Sequence, residues 1–191
     1  MTDKLTETPI DGGVVFEGIF LRVQRDNARM PDGTTSGREF VLHPGASAMV
    51  PIRDDERILI ERQFRYPLKR VFTEIPAGKI DKGETSLQTA QRELIEETGF
   101  AAMEWAPLTT IHPAIGFADE RIDIFLCRDL QPRETALDEG EFVEIDFVTV
   151  GWLVDELRAG RLTDVKTQIA THWLDNLFSG RWDWPAFERV A

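Results

Sequence analysis

The feature that most constrains this chain is the segment GKIDKGETSLQTAQRELIEETGF, Gly78 to Phe100, in which both ends of one helix can be read. Leu87, Ala90 and Leu94 recur at i, i+3 and i+7, which predicts a helix over 86–98 with one apolar stripe. Thr85, with Gln88 three residues on, reads as a capping box, and Gly99 stands where a left-handed residue ends a helix. On this helix Glu93, Glu96 and Glu97 fall at i, i+3 and i+4, so their carboxylates share one patch. Like charges at those spacings disfavour a helix by roughly 0.2–0.5 kcal/mol per pair unless a cation sits among them. An all-oxygen donor set suits Mg²⁺ or Mn²⁺, and His43, His112 and His172 are too scattered along the chain to read as a zinc site. On composition alone the run is a solvated acidic face. The caps, the stripe and the preceding Pro76-Ala77-Gly78 specify how it is presented.

A length of 191 residues fits one domain, or one domain with a small extra layer. Apolar residues at 42% and charged residues at 29% argue against disorder or a fibrous repeat. The net charge of −12 repels polyanions, which argues against general nucleic-acid or anionic-membrane binding. A phosphorylated substrate would need aimed arginines or carboxylate-held cations. The single cysteine, Cys127, lies in an apolar run and reads as a core residue. The polar start and the absence of an apolar run of membrane-spanning length lead us to expect a cytoplasmic protein.

Elsewhere the pattern predicts an N-terminal hairpin, with a strand over 14–23, a turn-like stretch over 26–37 and a second strand over 38–42. Strands follow over 46–52 and 57–64, then at Ile111, over 122–127 and over 142–148. Helices are expected over 152–159, ending at Gly160, and over 164–178. Trp152, Trp173, Trp182 and Trp184 read as core. The fold class is α+β, with mixed sheets sandwiched by helices.

Gly78, five residues, Glu84, seven residues, Arg92-Glu93-Leu94, one residue, Glu96-Glu97, one residue and Gly99-Phe100 together resemble the Nudix box. That resemblance implies an α/β/α sandwich around a mixed sheet, spanning 46–191 with the box at 78–100. It also implies a β-rich extension over 1–45 that serves dimerisation. The implied activity is divalent-metal-dependent hydrolysis of a pyrophosphate bond in a nucleoside diphosphate derivative. Glu93 and Glu97 would hold the metals, Glu96 would be a further or water-mediated ligand, and Ala77 would offer its backbone carbonyl. Arg92 and Glu84 would form a structural ion pair.

Two flanking runs resemble the ADP-ribose and nucleotide-sugar pyrophosphatases within that family. Glu74-Ile75-Pro76-Ala77-Gly78 is similar to their E-x-P-A-G, and His112 to Glu120 (HPAIGFADE) is similar to a loop reading S-P-G-F-x-(D/N)-E, with Ile115 in place of the proline before the glycine. The resemblance implies that Glu139 orients the attacking water, with Glu141 as the alternative. It implies that Arg65 contacts phosphate, that Arg38 reaches the adenine, sometimes of the neighbouring subunit, and that Asp119 or Glu120 contacts ribose. The expected substrate is ADP-ribose, cut to AMP and ribose 5-phosphate, by a homodimer. Another nucleoside diphosphate sugar such as GDP-mannose, a dinucleotide, a non-catalytic nucleotide-sugar sensor and a plain acidic interaction module are the alternatives.

Overall fold

The computed structural model describes residues 4–137 and 140–190. The chain forms two compact units, one ending at Gly45 and including His112–Arg121, the other holding Ala46–Ile111 and the chain from Ile122 onward.

In the first unit, β1 (Thr8–Glu17), β2 (Arg22–Arg29) and β3 (Thr35–Leu42) make an antiparallel sheet in sequence order. This corrects the expected hairpin. The apolar run over 14–23 is broken by a turn, in which the Gly18 N–H donates to the Leu21 carbonyl at 2.8 Å. Of the polar stretch read as a turn, 30–34 do turn, the Gly33 N–H donating to the Met30 carbonyl at 2.9 Å, but 26–29 end the central strand β2 and 35–37 begin β3. Only Ala28 of β2 is buried, so the strand has no apolar alternation for the eye to find. Ladder hydrogen bonds on both edges and the Arg25–Glu39 pair across to β3, at 2.7 Å, stabilise it instead.

The second unit contains the expected sandwich. β4 (Ala46–Pro51) and β5 (Ile58–Arg65) lead to a short 3₁₀ turn (Tyr66–Leu68), β6 (Arg70–Glu74) and β7 (Ala77–Lys79), before α1 (Ser86–Thr98). Then come β8 (Phe100–Ile111), β9 (Ile122–Pro132), β10 (Val143–Val148), α2 (Val150–Arg158), α3 (Val165–Phe178) and β11 (Glu188–Arg189). A five-stranded sheet runs β11-β8-β9-β4-β7, mixed because β4 and β9 are parallel, and a three-stranded antiparallel sheet runs β10-β5-β6. Alternation along β4 sends Met49 to one face and Ala48 and Val50 to the other. Met49 packs with Ala90 and Leu94 of α1 and with Trp105 and Cys127. On the opposite face, Val50, Ile124 and Leu126 pack with Ile60 of β5 and with Leu153, Leu174 and Leu177 of α2 and α3.

α1 has the limits expected of it, with both sides of its capping box formed and Gly99 at φ 70°. α3 begins one residue late because Asp164 caps it through the Thr167 N–H. The long strand β8 was visible only at Ile111, because its Ala, Glu and Pro residues are poor strand formers and pairing with β9 decides the conformation. β6 and β7 were missed as well. The tryptophan expectation is met only by Trp173, which packs partly buried against the core; Trp105 is the fully buried one, whereas Trp152, Trp182 and Trp184 are exposed. The last two stand edge-on to Trp173 and Phe178 in a C-terminal aromatic cluster, half packed and half wet.

Candidate active site

Burial of Ala90 and Leu94 fixes the rotation of α1 and so determines where its glutamates point. The loop before the helix is pinned to β4, where Ala77 pairs with Ala48 and the Met49 N–H donates to the Pro76 carbonyl at 3.0 Å. Gly78 has no side chain for a steric reason. A Cβ there would lie 1.9 Å from the carboxyl carbon of Glu93, so only glycine lets Glu93 lie over this loop.

Arg92 organises the outer part of the patch. Its guanidinium donates to Glu84 at 3.0 and 2.9 Å, as the expected ion pair, and also to Glu93 and Glu96 at 2.9 Å each. The Arg92 hydrogen bonds, joined by one from the Thr89 hydroxyl, pull the Glu84 pKa down to about 2. Arg92 thus ties the box loop to two of the predicted metal ligands.

Of the other wall, sequence reasoning named Arg65 and Glu141 but missed Glu61, Gln63 and Lys166. Glu61, Gln63 and Arg65 alternate along β5 and so share one face, with Glu61 directly opposite Glu74 of β6. Arg65 binds Glu74 with two hydrogen bonds of 2.8 Å, and the buried Lys166 of α3 also donates to Glu74 while lying 3.2 Å from Asp164. Burial opposes ionisation of Glu74, but the Arg65 hydrogen bonds and the Lys166 charge outweigh it and its pKa falls below the ordinary value. The sequence signals were present: Glu61 ends an Ile58-Leu59-Ile60 run, and Lys166 lies on the Ala170–Leu174–Leu177 stripe of α3.

Glu61 is wholly inaccessible to solvent, and among the described residues neither of its oxygens has a hydrogen-bond partner. Burial pushes its pKa up to about 8, with Lys166 opposing and Glu74 adding to the effect. Glu97 is also buried with its Oε2 unpartnered, and burial followed by the charges of Glu61, Glu93 and Glu141 pushes it up to about 10. Glu93 is raised by burial too, with Arg92 opposing. Glu141 accepts a hydrogen bond from the Gln63 amide at 2.9 Å and acts electrostatically on Glu61, Glu93 and Glu97. Glu139 lies outside the described residues.

Among the described residues no three acidic, histidine or cysteine side chains stand ready around one point for a metal ion. Arg92 holds Glu93 and Glu96 instead. The donor chemistry nevertheless fits a hard divalent cation: every donor is oxygen, and two buried carboxylates carry oxygens with no hydrogen-bond partner among the described residues.

The remaining predicted contacts belong to the first unit. Arg38 forms two hydrogen bonds, of 2.8 and 2.7 Å, with Glu7, and lines a cavity of about 400 Å³ with Phe40, Ile115, Phe117 and Asp119. Asp119 accepts the His43 N–H at 2.7 Å, and Glu120 lies 3.8 Å from the His43 Nε2. Arg38 and Asp119 therefore share one cavity, Glu120 stands beside His43, and Arg65 belongs to the carboxylate wall of the second unit.

Comparison with known proteins bears on this arrangement. The chain is 39% identical over 173 residues to the ADP-ribose pyrophosphatase of Bacillus subtilis, covering 90% of this chain and 94% of that protein. It is 41% identical over 164 residues to the methanol dehydrogenase activator of Bacillus methanolicus, covering 84% and 88% respectively. The crystal structure of an ADP compounds hydrolase shares the fold with a TM-score of 0.82 at 23% identity, covering 93% of this chain and 97% of that one. A family model described as the NUDIX domain matches residues 42–168. That match runs from the end of β3 into the first turn of α3, and the chain therefore belongs to the Nudix family.

Proposed function

We propose that this chain hydrolyses the pyrophosphate bond of ADP-ribose, releasing AMP and ribose 5-phosphate, with Mg²⁺ or Mn²⁺ as cofactor. The observation that carries the reading is the set of buried, mutually repelling carboxylates of α1 and β5, in a chain that aligns over 90% of its length with an ADP-ribose pyrophosphatase. Glu93 and Glu97, with Glu96 and the Ala77 carbonyl, would hold the cation. When bound, it neutralises phosphate oxygens and lowers the pKa of a water. That lets a protein of net charge −12 accept an anionic substrate.

Glu141, oriented by Gln63, takes the proton of the attacking water, and Glu139, two positions earlier in the sequence, is the other carboxylate the family pattern offers for this role. The water oxygen bonds to one phosphorus, the bridging P–O bond breaks, and the two phosphates depart on separate products. Arg65 has a phosphate-facing role only to the extent that Glu74, which binds it bidentately, shares it. Arg38 and Asp119 line a cavity with Phe40 and Phe117, a setting suited to stacking a planar base and binding hydroxyls, and Glu120 is a second candidate for ribose. Ile115 lines the same cavity and is where a different nucleoside diphosphate sugar would be distinguished.

The extension over 1–45 is proposed to serve a homodimer, because β1 is the outer strand of its sheet and exposes Val14, Val15 and Phe16. Light scattering of the purified protein tests that. No helix among the described residues is long and apolar enough to cross a membrane, and a cytoplasmic location is the matching proposal. The activity is tested by turnover of ADP-ribose, GDP-mannose, ADP-glucose, NADH and diadenosine polyphosphates, with Mg²⁺ and with EDTA, identifying both products. Preferred, EDTA-sensitive release of AMP and ribose 5-phosphate from ADP-ribose supports the reading. Binding of a panel member without turnover makes the protein a sensor instead.

A further inference from the structure

The buried charges around Glu61 do not balance. On the β5–β6–α3 side the cations are Arg65 and Lys166, and both are committed: Arg65 to Glu74, and Lys166 to Glu74 and Asp164. Arg92, on the other side, is committed to Glu84, Glu93 and Glu96. Glu61 and Glu97 are left facing one another electrostatically, with Glu141 nearby and no described hydrogen-bond donor for three of their four carboxylate oxygens. A buried carboxylate in that state costs several kcal/mol unless something compensates it. Gln63, two residues along the same face of β5, adds a further unsatisfied acceptor, its buried amide oxygen, because its NH₂ is turned toward Glu141. Buried carboxylate oxygens and a neutral amide oxygen, all without a hydrogen-bond partner among the described residues, describe a pocket for a hard cation, assembled in part from a strand outside the Nudix box.

We propose that Glu61 is itself a ligand of the divalent cation, so that Glu61 of β5 and Glu97 of α1 hold the ion together, with the Gln63 amide oxygen as a neutral donor. This rests on the metal-dependent reading above and extends it, because it takes the cation site across from the box helix to the facing sheet. One consequence is that the cation ties β5 to α1, so metal binding is expected to stabilise the fold as well as serve the reaction.

The test is Mn²⁺ binding to metal-free, full-length protein without substrate, read as the free Mn²⁺ signal in electron paramagnetic resonance, together with melting temperature with and without Mn²⁺. In Glu61→Gln, at least one Mn²⁺ is expected to bind about 10-fold or more weaker than in the wild type, and the upward melting shift with Mn²⁺ should shrink. In EDTA the same variant should melt no lower than wild type, because the isosteric amide removes an unpartnered charge. Should it melt lower, Glu61→Met, which has a similar length and no hydrogen-bonding demand, is measured in its place. Wild-type Mn²⁺ affinity and stoichiometry in the folded variant overturn the assignment of Glu61 while leaving the family metal site intact. An absence of Mn²⁺ binding to the wild type overturns both.

Discussion

Glu61 and Glu74 are cross-strand partners in register on β5 and β6, yet one is held below the ordinary carboxylate range and the other well above it. The difference lies in the neighbours. Arg65, four residues along β5 from Glu61, reaches across the ladder to Glu74, and Lys166 arrives at the same carboxylate from α3. Both cations hydrogen-bond Glu74, while Glu61 feels their charge but has no hydrogen-bond partner among the described residues, and this asymmetry separates the two carboxylates.

Removing the structural member should be costly. Glu74→Gln takes the hydrogen-bonded carboxylate from the buried Lys166, leaving it Asp164 at 3.2 Å, and is expected to destabilise the protein by about 3–5 kcal/mol. Chemical denaturation of the metal-free protein measures this, and a loss under about 1 kcal/mol would show that water already compensates the pair.

Gly78→Ala tests the close approach of the box loop to Glu93. The methyl would collide with the flexible end of Glu93, so that side chain moves and the backbone does not. Metal-dependent turnover should fall by about 100-fold, as expected for a misplaced site group, with the melting temperature almost unchanged. Equal turnover in the variant would mean that Glu93 does not need this position.

Glu141→Gln should lower kcat by about 10²–10⁴-fold and leave KM within a few-fold, if Glu141 takes the proton from water. An unaltered kcat, with a loss in Glu139→Gln instead, would transfer the role to Glu139.

Glu84 and Glu74 both have folded-state pKa values below the ordinary 4.5, Glu84 down to about 2. The unfolded chain therefore takes up their protons first as pH falls, and their contribution to stability, fully present above about pH 4.5, is lost between there and about pH 2. Melting temperature followed across that window should drop, and less steeply in Arg92→Met, which has lost the hydrogen bonds that depress Glu84.

The box helix was legible in the sequence to the residue, because everything that defines it is local: a cap and its reciprocal partner, a stripe at helical spacing, and a glycine at its left-handed C-terminal end. The three glutamates on it, and the Arg92–Glu84 clamp, follow from the same short-range geometry. Strand β2 was not legible because it is held by ladder hydrogen bonds rather than by a buried face, and β8 was not because its residues become a strand only against β9.

What the sequence determined by itself was the family, the sandwich built on alternating and helical periodicities, and the identity of one wall of the site. Only the tertiary structure decided the other wall. Glu61, Glu74 and Lys166 are separated by as many as 105 residues and meet because β5, β6 and α3 pack around one core. A charged residue inside an apolar run shows that a partner must exist, since burying an unpaired charge is costly, but its partner is chosen by the packing of distant elements. That packing also gave the hydrogen bonds of both nearby cations to Glu74 and left oxygens of Glu61 and Glu97 with no partner among the described residues.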